Sequence, residues 1–274
     1  MQWLRSLVFT GLMFLTTAVF GVIVLVAACL PLSLEQRYSI PRAWGRLLTA
    51  LAGKVCGLHY RIEGRENLPG QPFISLWKHS SAWETMAQMF VVPPAAWLLK
   101  REVTWIPIVG WAVRTYKPIA INRRAGHSAV NQVVAQVRER LAAGMGVIVY
   151  PEGTRVAPGQ TRKYGISGAL LACDTGTPVV PIAHNSGYFW RRRSLLKKAG
   201  TIRVVIGPPI HPGGLTPREV NERAQQWIEA TVADIVAQPD GQPRLGRALS
   251  GAQRPGRLTV GAWRPLRLAH EPRH

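Results

Sequence analysis

The chain has 274 residues, which suits one large domain with appendages; 47% of them are hydrophobic and the mean hydropathy is +0.04, high for a soluble protein. A formal net charge of +20 asks for an anionic partner, whether nucleic acid, anionic lipid headgroups or an acidic substrate or carrier. The three cysteines, Cys29, Cys56 and Cys173, are odd in number and fit neither a disulfide framework nor zinc or redox spacing, and the seven histidines are scattered without ligand spacing, so no metal is expected.

From Ser6 to Leu34 no residue is charged. A bilayer core needs about 20 apolar residues, so this stretch is long enough to span one and too long for an ordinary signal-peptide apolar region. Pro31 is expected to stop or kink that helix. Ala43 to Leu58 reads as a second, amphipathic helix whose Arg46 and Lys54 can lie at headgroup level. Arg37, Arg42, Arg46 and Lys54 follow the first helix, against Arg5 and the amino terminus before it, which by the positive-inside rule puts the main domain on the cytoplasmic side. A true span and a helical hairpin dipping into one leaflet fit this pattern equally.

Residues 59–237 alternate strand-like and helix-like segments. Strands are expected at Phe73–Trp77, Ala95–Leu99, Pro118–Ile121, Gly146–Tyr150, Pro178–Ala183 and Thr201–Ile206. Between them fall a turn entering a helix at His79–Met89, with Ser80 or Ser81 as N-cap, and helices at Ser128–Leu141, Ser167–Asp174 and Thr216–Val236. Alternation of this kind indicates an α/β domain around a central sheet. Residues 238–274 form a tail of Pro, Gly and Arg with few acidic side chains, expected to be disordered.

Two motifs carry chemistry. The first is Lys78-His79-Ser80-Ser81-Ala82-Trp83-Glu84-Thr85. On a continuous helix, residues five apart point about 140° away from each other. If His79 precedes the helix and Glu84 lies in its first turn, the imidazole can fold back onto the carboxylate, which fixes its tautomer and leaves the other nitrogen free to take a proton. No Gly-x-Ser-x-Gly elbow surrounds the serines, so a substrate hydroxyl is the better nucleophile. The second motif, Tyr150-Pro151-Glu152-Gly153-Thr154-Arg155, follows an apolar strand about seventy residues later. Pro151 and Gly153 favour a tight turn, and Arg155 offers a planar fork of donors suited to phosphate.

With these residues in place the chain resembles the lysophosphatidic acid acyltransferase family. The family's His-x-x-x-x-Asp block is matched by His79 and Glu84, and its Gly-then-Arg block by Gly110-Trp111 through Asn122-Arg123. Pro-Glu-Gly-Thr-Arg is present in full at Pro151–Arg155, and the apolar block containing Pro at Val179-Val180-Pro181-Ile182. Glu84 stands where the family more often has Asp, Asn122 where an acidic residue is common, and Lys78 where relatives often have Asn.

The resemblance implies a glycerolipid acyltransferase-like fold, with a central mixed sheet flanked by helices and an N-terminal membrane-associated helical segment at residues 1–58. It implies His79 and Glu84 as the catalytic pair. Lys100, Arg123, Glu152, Gly153, Thr154, Arg155 and Lys163 are the implied substrate-binding residues, and backbone N–H groups near Gly153 the oxyanion site. The implied donor is acyl-CoA or acyl carrier protein, with no cofactor, and the acceptor lysophosphatidic acid in the inner membrane. The same chemistry on lyso-ornithine lipid or glycerol 3-phosphate, or an inactive lipid-binding role, are the alternatives. Nucleic-acid binding would call for aromatic-basic interleaving or a helix-turn-helix, and the sequence has neither. Arg191-Arg192-Arg193 with Lys197-Lys198 is a solvated loop or a basic surface for lipid or an acidic carrier.

Overall fold

In the computed structural model, residues 1–121 and 126–238 are described, with the side chains of Lys100 and of residues 120–131 left aside. The tail, expected to be disordered, lies outside them. Met1–Pro239 is one compact unit, so the N-terminal helices share a core with the sheet.

Two helices open the chain, α1 (Gln2–Ala28) and α2 (Leu34–Cys56), with Pro31 in the break between them. Ser33 starts α2 by a capping box: its hydroxyl accepts from Gln36 N–H and the Gln36 side chain answers the Ser33 N–H. Helix α2 is longer than the expected segment because that cap lies nine residues before Arg42, and it carries Pro41 internally. Gly57 ends α2 in a left-handed conformation, φ 69°.

The α/β part follows as β1 (Leu58–Glu63), β2 (Ile74–Trp77), α3 (Trp83–Val91), β3 (Ala95–Lys100), α4 (Val109–Thr115), β4 (Ile119–Ile121), α5 (Gly126–Ala142), β5 (Gly146–Val149), α6 (Ser167–Thr175), β6 (Val179–His184), α7 (Ser186–Phe189), β7 (Gly200–Ile206) and α8 (Pro217–Ala237). The sheet order is β1-β7-β6-β2-β5-β3-β4, and every pairing is parallel except β6 with β7. The sheet is therefore mixed, as the resemblance implied. Strands β2, β5 and β6 are buried along their whole length, which is why they read as continuous apolar runs rather than alternating ones.

Strand β2 sits between β6 and β5, parallel to both. Leu76 pairs with Val149 on one side and with Pro181 on the other. Three loops, those after Trp77, Val149 and His184, thus leave the same edge of the sheet side by side, at the carboxyl ends of the strands where α/β proteins place their sites.

Candidate active site

His79 lies in the loop after β2, before the helix, and Glu84 is in the first turn of α3. The imidazole folds back as the sequence requires: Nδ1 is 3.0 Å from Glu84 Oε1. The same oxygen accepts the N–H groups of Ser80 at 2.9 Å and Ser81 at 2.8 Å, so the carboxylate also closes the helix start. The N-cap of α3 is Ala82, not Ser80 or Ser81 as expected, because the helix starts one residue later, at Trp83; the Ser81 hydroxyl still accepts from Trp83 N–H at 3.0 Å. Glu84 is completely buried. Burial works against the charged form, but the hydrogen bond from His79, the nearby imidazoles and the Ser81 N–H outweigh it, and the carboxyl titrates below its ordinary 4.5. Nδ1 therefore carries the hydrogen and Nε2 is left as the basic atom. Among the described residues no serine or cysteine bonds to the ring.

The Pro-Glu-Gly-Thr-Arg turn comes off β5 alongside. Gly153 takes φ 67° there, a left-handed conformation in which an L side chain would be strained. Its N–H donates to Tyr150 O at 3.0 Å, so Gly153's own amide is not among the groups available to an oxyanion. The turn is locked to the histidine loop by Val156 N–H on His79 O at 2.8 Å.

Glu152 points inward. Its Oε1 accepts His79 N–H at 3.2 Å and lies 3.4 Å from Lys78 Nζ, while Oε2 is buried without a partner. Burial raises its pKa above 4.5 against the pull of Lys78. What the geometry shows of Glu152 is support for the histidine loop from within. Lys78 also reaches Glu229 of α8 at 2.6 Å, and Tyr164 donates to that same Glu229 oxygen at 2.9 Å.

Arg155 is half-buried, and its Nε has no hydrogen-bond partner. Thr154 is half-buried in the same turn. Lys163 is exposed, on a segment tied to α8 through Gln225, which contacts Arg162 O and Tyr164 N. Lys100 ends β3, and Arg123 lies outside the described residues.

A chamber of about 430 Å³ opens beside the turn. Phe20 and Val24 of α1, Trp44 of α2, Met89 of α3 and Trp97 of β3 make it largely apolar, and Thr85, Gln88, Tyr150 and Arg155 are among its polar lining. The Tyr150 ring is shared: it lines the chamber and stacks on His79. A volume of this size suits a small molecule or part of a lipid chain.

Sequence reasoning missed two residues here. His184 ends β6, and Ser186 opens α7; both are buried. Ser186 Oγ is 3.0 Å from Glu84 Oε2 and 2.9 Å from His184 Nδ1. The signal that would have found them is topological, since β6 is parallel to β2 and delivers its next loop to the same edge.

A histidine held by a buried carboxylate, beside an apolar chamber that Arg155 also lines, suits a transferase acting on a hydroxyl. Residues 59–185 match the family model described as Acyltransferase. The chain is 39% identical to the 1-acyl-sn-glycerol-3-phosphate acyltransferase of Pseudomonas aeruginosa, over 85% of this chain and 92% of that protein. It is 28% identical to the human 1-acyl-sn-glycerol-3-phosphate acyltransferase alpha, over 64% of this chain and 63% of the human one. The crystal structure of the 1-acyl-sn-glycerophosphate acyltransferase PlsC from Thermotoga maritima shares the fold, with a TM-score of 0.73 over 86% of this chain and 96% of that one at 22% identity. The chain belongs to the 1-acyl-sn-glycerol-3-phosphate acyltransferase family and is an acyltransferase.

Proposed function

We propose that this enzyme moves a fatty acyl group from the thioester of acyl-CoA or acyl carrier protein to the free hydroxyl of lysophosphatidic acid, giving phosphatidic acid for phospholipid synthesis at the cytoplasmic membrane. The carrying observation is the His79–Glu84 pair at 3.0 Å beside a largely apolar chamber that Arg155 also lines. His79 Nε2 takes the hydroxyl proton and Glu84 stabilises the imidazolium that forms. The oxygen attacks the thioester carbonyl. The tetrahedral intermediate then collapses, the carbon–sulfur bond breaks, and the thiolate receives the proton back from His79. Arg155 holds the acceptor phosphate, with Arg123, Lys100, Thr154 and Lys163 as further contacts, and the acyl chain lies in the chamber.

Membrane association rests on α1, one helix long and apolar enough to cross a bilayer by length and composition. Its outer face exposes Trp3, Leu7, Phe14, Leu15, Val22 and Val26. Its other face is held to the protein along its length. Gln2 Nε2 donates to Cys56 O at 2.9 Å and to Lys197 O at 2.6 Å, Phe9 packs edge-on against Trp190, and Gly21 and Val24 line the chamber. A helix held in this way favours lying in one leaflet over crossing the bilayer. The Arg and Lys residues after α1 favour the anionic cytoplasmic leaflet.

The test is acyl transfer from palmitoyl-CoA to lysophosphatidic acid by membranes containing the protein, beside His79→Ala. Phosphatidic acid formed by the parent and lost in the variant is expected. Equal activity in the variant would remove His79 as base, and a folded parent active only on another lysolipid would replace the acceptor.

A further inference from the structure

Glu84 has two oxygens and the catalytic histidine uses one. Oε1 takes the imidazole and two backbone N–H groups. Oε2 faces a different partner, the Ser186 hydroxyl, supplied from β6's end of the sheet 102 residues further along the chain. Ser186 is fully buried, so no water competes for that hydrogen bond. A hydroxyl has one hydrogen, and a carboxylate is a stronger acceptor than a neutral imidazole. The hydrogen therefore goes to Glu84.

His184 lies on the other side of the serine. Its Nε2 donates to Lys78 O at 2.8 Å, which leaves Nδ1 as an acceptor that the Ser186 N–H approaches at 3.4 Å and that does not hold the hydroxyl while its hydrogen points at Glu84. Burial lowers the His184 pKa and keeps this ring neutral. Packing closes the arrangement from outside: a Cβ on Gly187 would come within 2.8 Å of Ser80 Cβ and 2.9 Å of its Oγ, so only glycine lets α7 approach the histidine loop this closely. The segment from the end of β6 into α7 thus reaches the histidine loop through backbone as well as side chain.

We propose that Ser186 is a positioning residue for acyl transfer: it clamps Glu84 Oε2 so that the carboxylate cannot rotate away from His79. This rests on His79 being the base. The titratable and charged groups around Glu84 and His79 are His184, Tyr150, Glu152 and Lys78. Without the Ser186 hydrogen bond the carboxylate is a less fixed partner for the imidazolium. The base is then less well aimed, and its protonated form is less stabilised.

The experiment compares the parent with Ser186→Ala and Ser186→Cys, the latter of similar size with a weak donor, in full-length protein in the same membranes. Ser186→Ala is expected to lower kcat about 10-fold, a fraction of the 10²–10⁴-fold typical of general base catalysis, with KM for both substrates unchanged. The acid limb of its kcat/KM profile is expected to move to lower pH. Ser186→Cys should fall between the two. An unchanged kcat and acid limb in Ser186→Ala would overturn the proposal. So would an equal loss in both variants with a lowered Tm and an unmoved acid limb, which is the mark of a purely structural residue. His79→Ala run alongside separates the two ideas: activity surviving that change removes the base itself, whereas activity lost there but kept in Ser186→Ala removes only the clamp.

Discussion

The imidazole of His79 lies against the ring of Tyr150, with centroids 4.0 Å apart and planes 28° from parallel. Tyr150 is the last residue before the Pro-Glu-Gly-Thr-Arg turn, so the two motifs meet by ring stacking as well as by hydrogen bonds. Enclosure raises the Tyr150 pKa well above 10, and its neutral hydroxyl donates to Gln88 Oε1 at 2.7 Å. The stack leaves one ring face of the base covered, and the edge carrying Nδ1 is held by Glu84. The imidazole is left with one free nitrogen and little freedom to turn it.

Glu84→Gln keeps the shape and removes the charge. Activity should fall about 10²-fold or more, since a neutral amide cannot stabilise the imidazolium. Stability gives a second reading. The folded carboxyl titrates below the 4.5 of the unfolded chain, so the unfolded state takes its proton first as pH falls. The contribution of Glu84 is complete above the unfolded value and is lost as pH drops through the folded one. Urea midpoints of the parent and Glu84→Gln should differ by a constant amount at neutral pH, and the gap should close only in acid.

Lys78→Met should destabilise the fold by about 3 kcal/mol, because it removes one cation between two carboxylates, one of them fully buried. Glu152 would be left uncompensated beside the catalytic loop. Urea unfolding at neutral pH measures the loss. A drop below about 1 kcal/mol would show that Glu152 already holds a proton there.

Ala112→Leu shortens the chamber from the α4 side. If acyl chains occupy it, each methylene left unburied costs about 0.8 kcal/mol, so losing room for two of them should shift preference toward shorter donors by about 10-fold. Competition between palmitoyl-CoA and shorter acyl-CoAs, scored by product chain length, checks this. An unaltered product ratio would place the chain elsewhere.

Much of the site was legible because its two motifs depend on local geometry. The fold-back of His79 onto Glu84 follows from a loop-to-helix boundary placed between them, and Pro151 with Gly153 marks the turn. Strands β2, β5 and β6 were visible as short apolar runs. Strand β1 was not foreseen, since Leu58-His59-Tyr60-Arg61 directly continues the apolar stretch of α2 and only the left-handed Gly57 separates them. Helix α4, at seven residues, is too short to show a period. Ser186 and His184 carry no local pattern at all. Their role comes from strand order, which a single sequence does not display, and the inward turn of Glu152 depends on Lys78 and Glu229, 151 residues apart.

Helix α1 also has a consequence for how the enzyme can be handled. Thr17, Phe20, Gly21 and Val24 belong to the chamber wall, and the Lys197 ammonium, seated on Thr10 at 2.5 Å and over the Phe9 and Trp190 rings, depends on the same helix. Cutting it away would strand a desolvated cation and breach the cavity, rather than release a soluble catalytic domain. The helix is part of the enzyme's interior, so it cannot be trimmed away without opening the chamber.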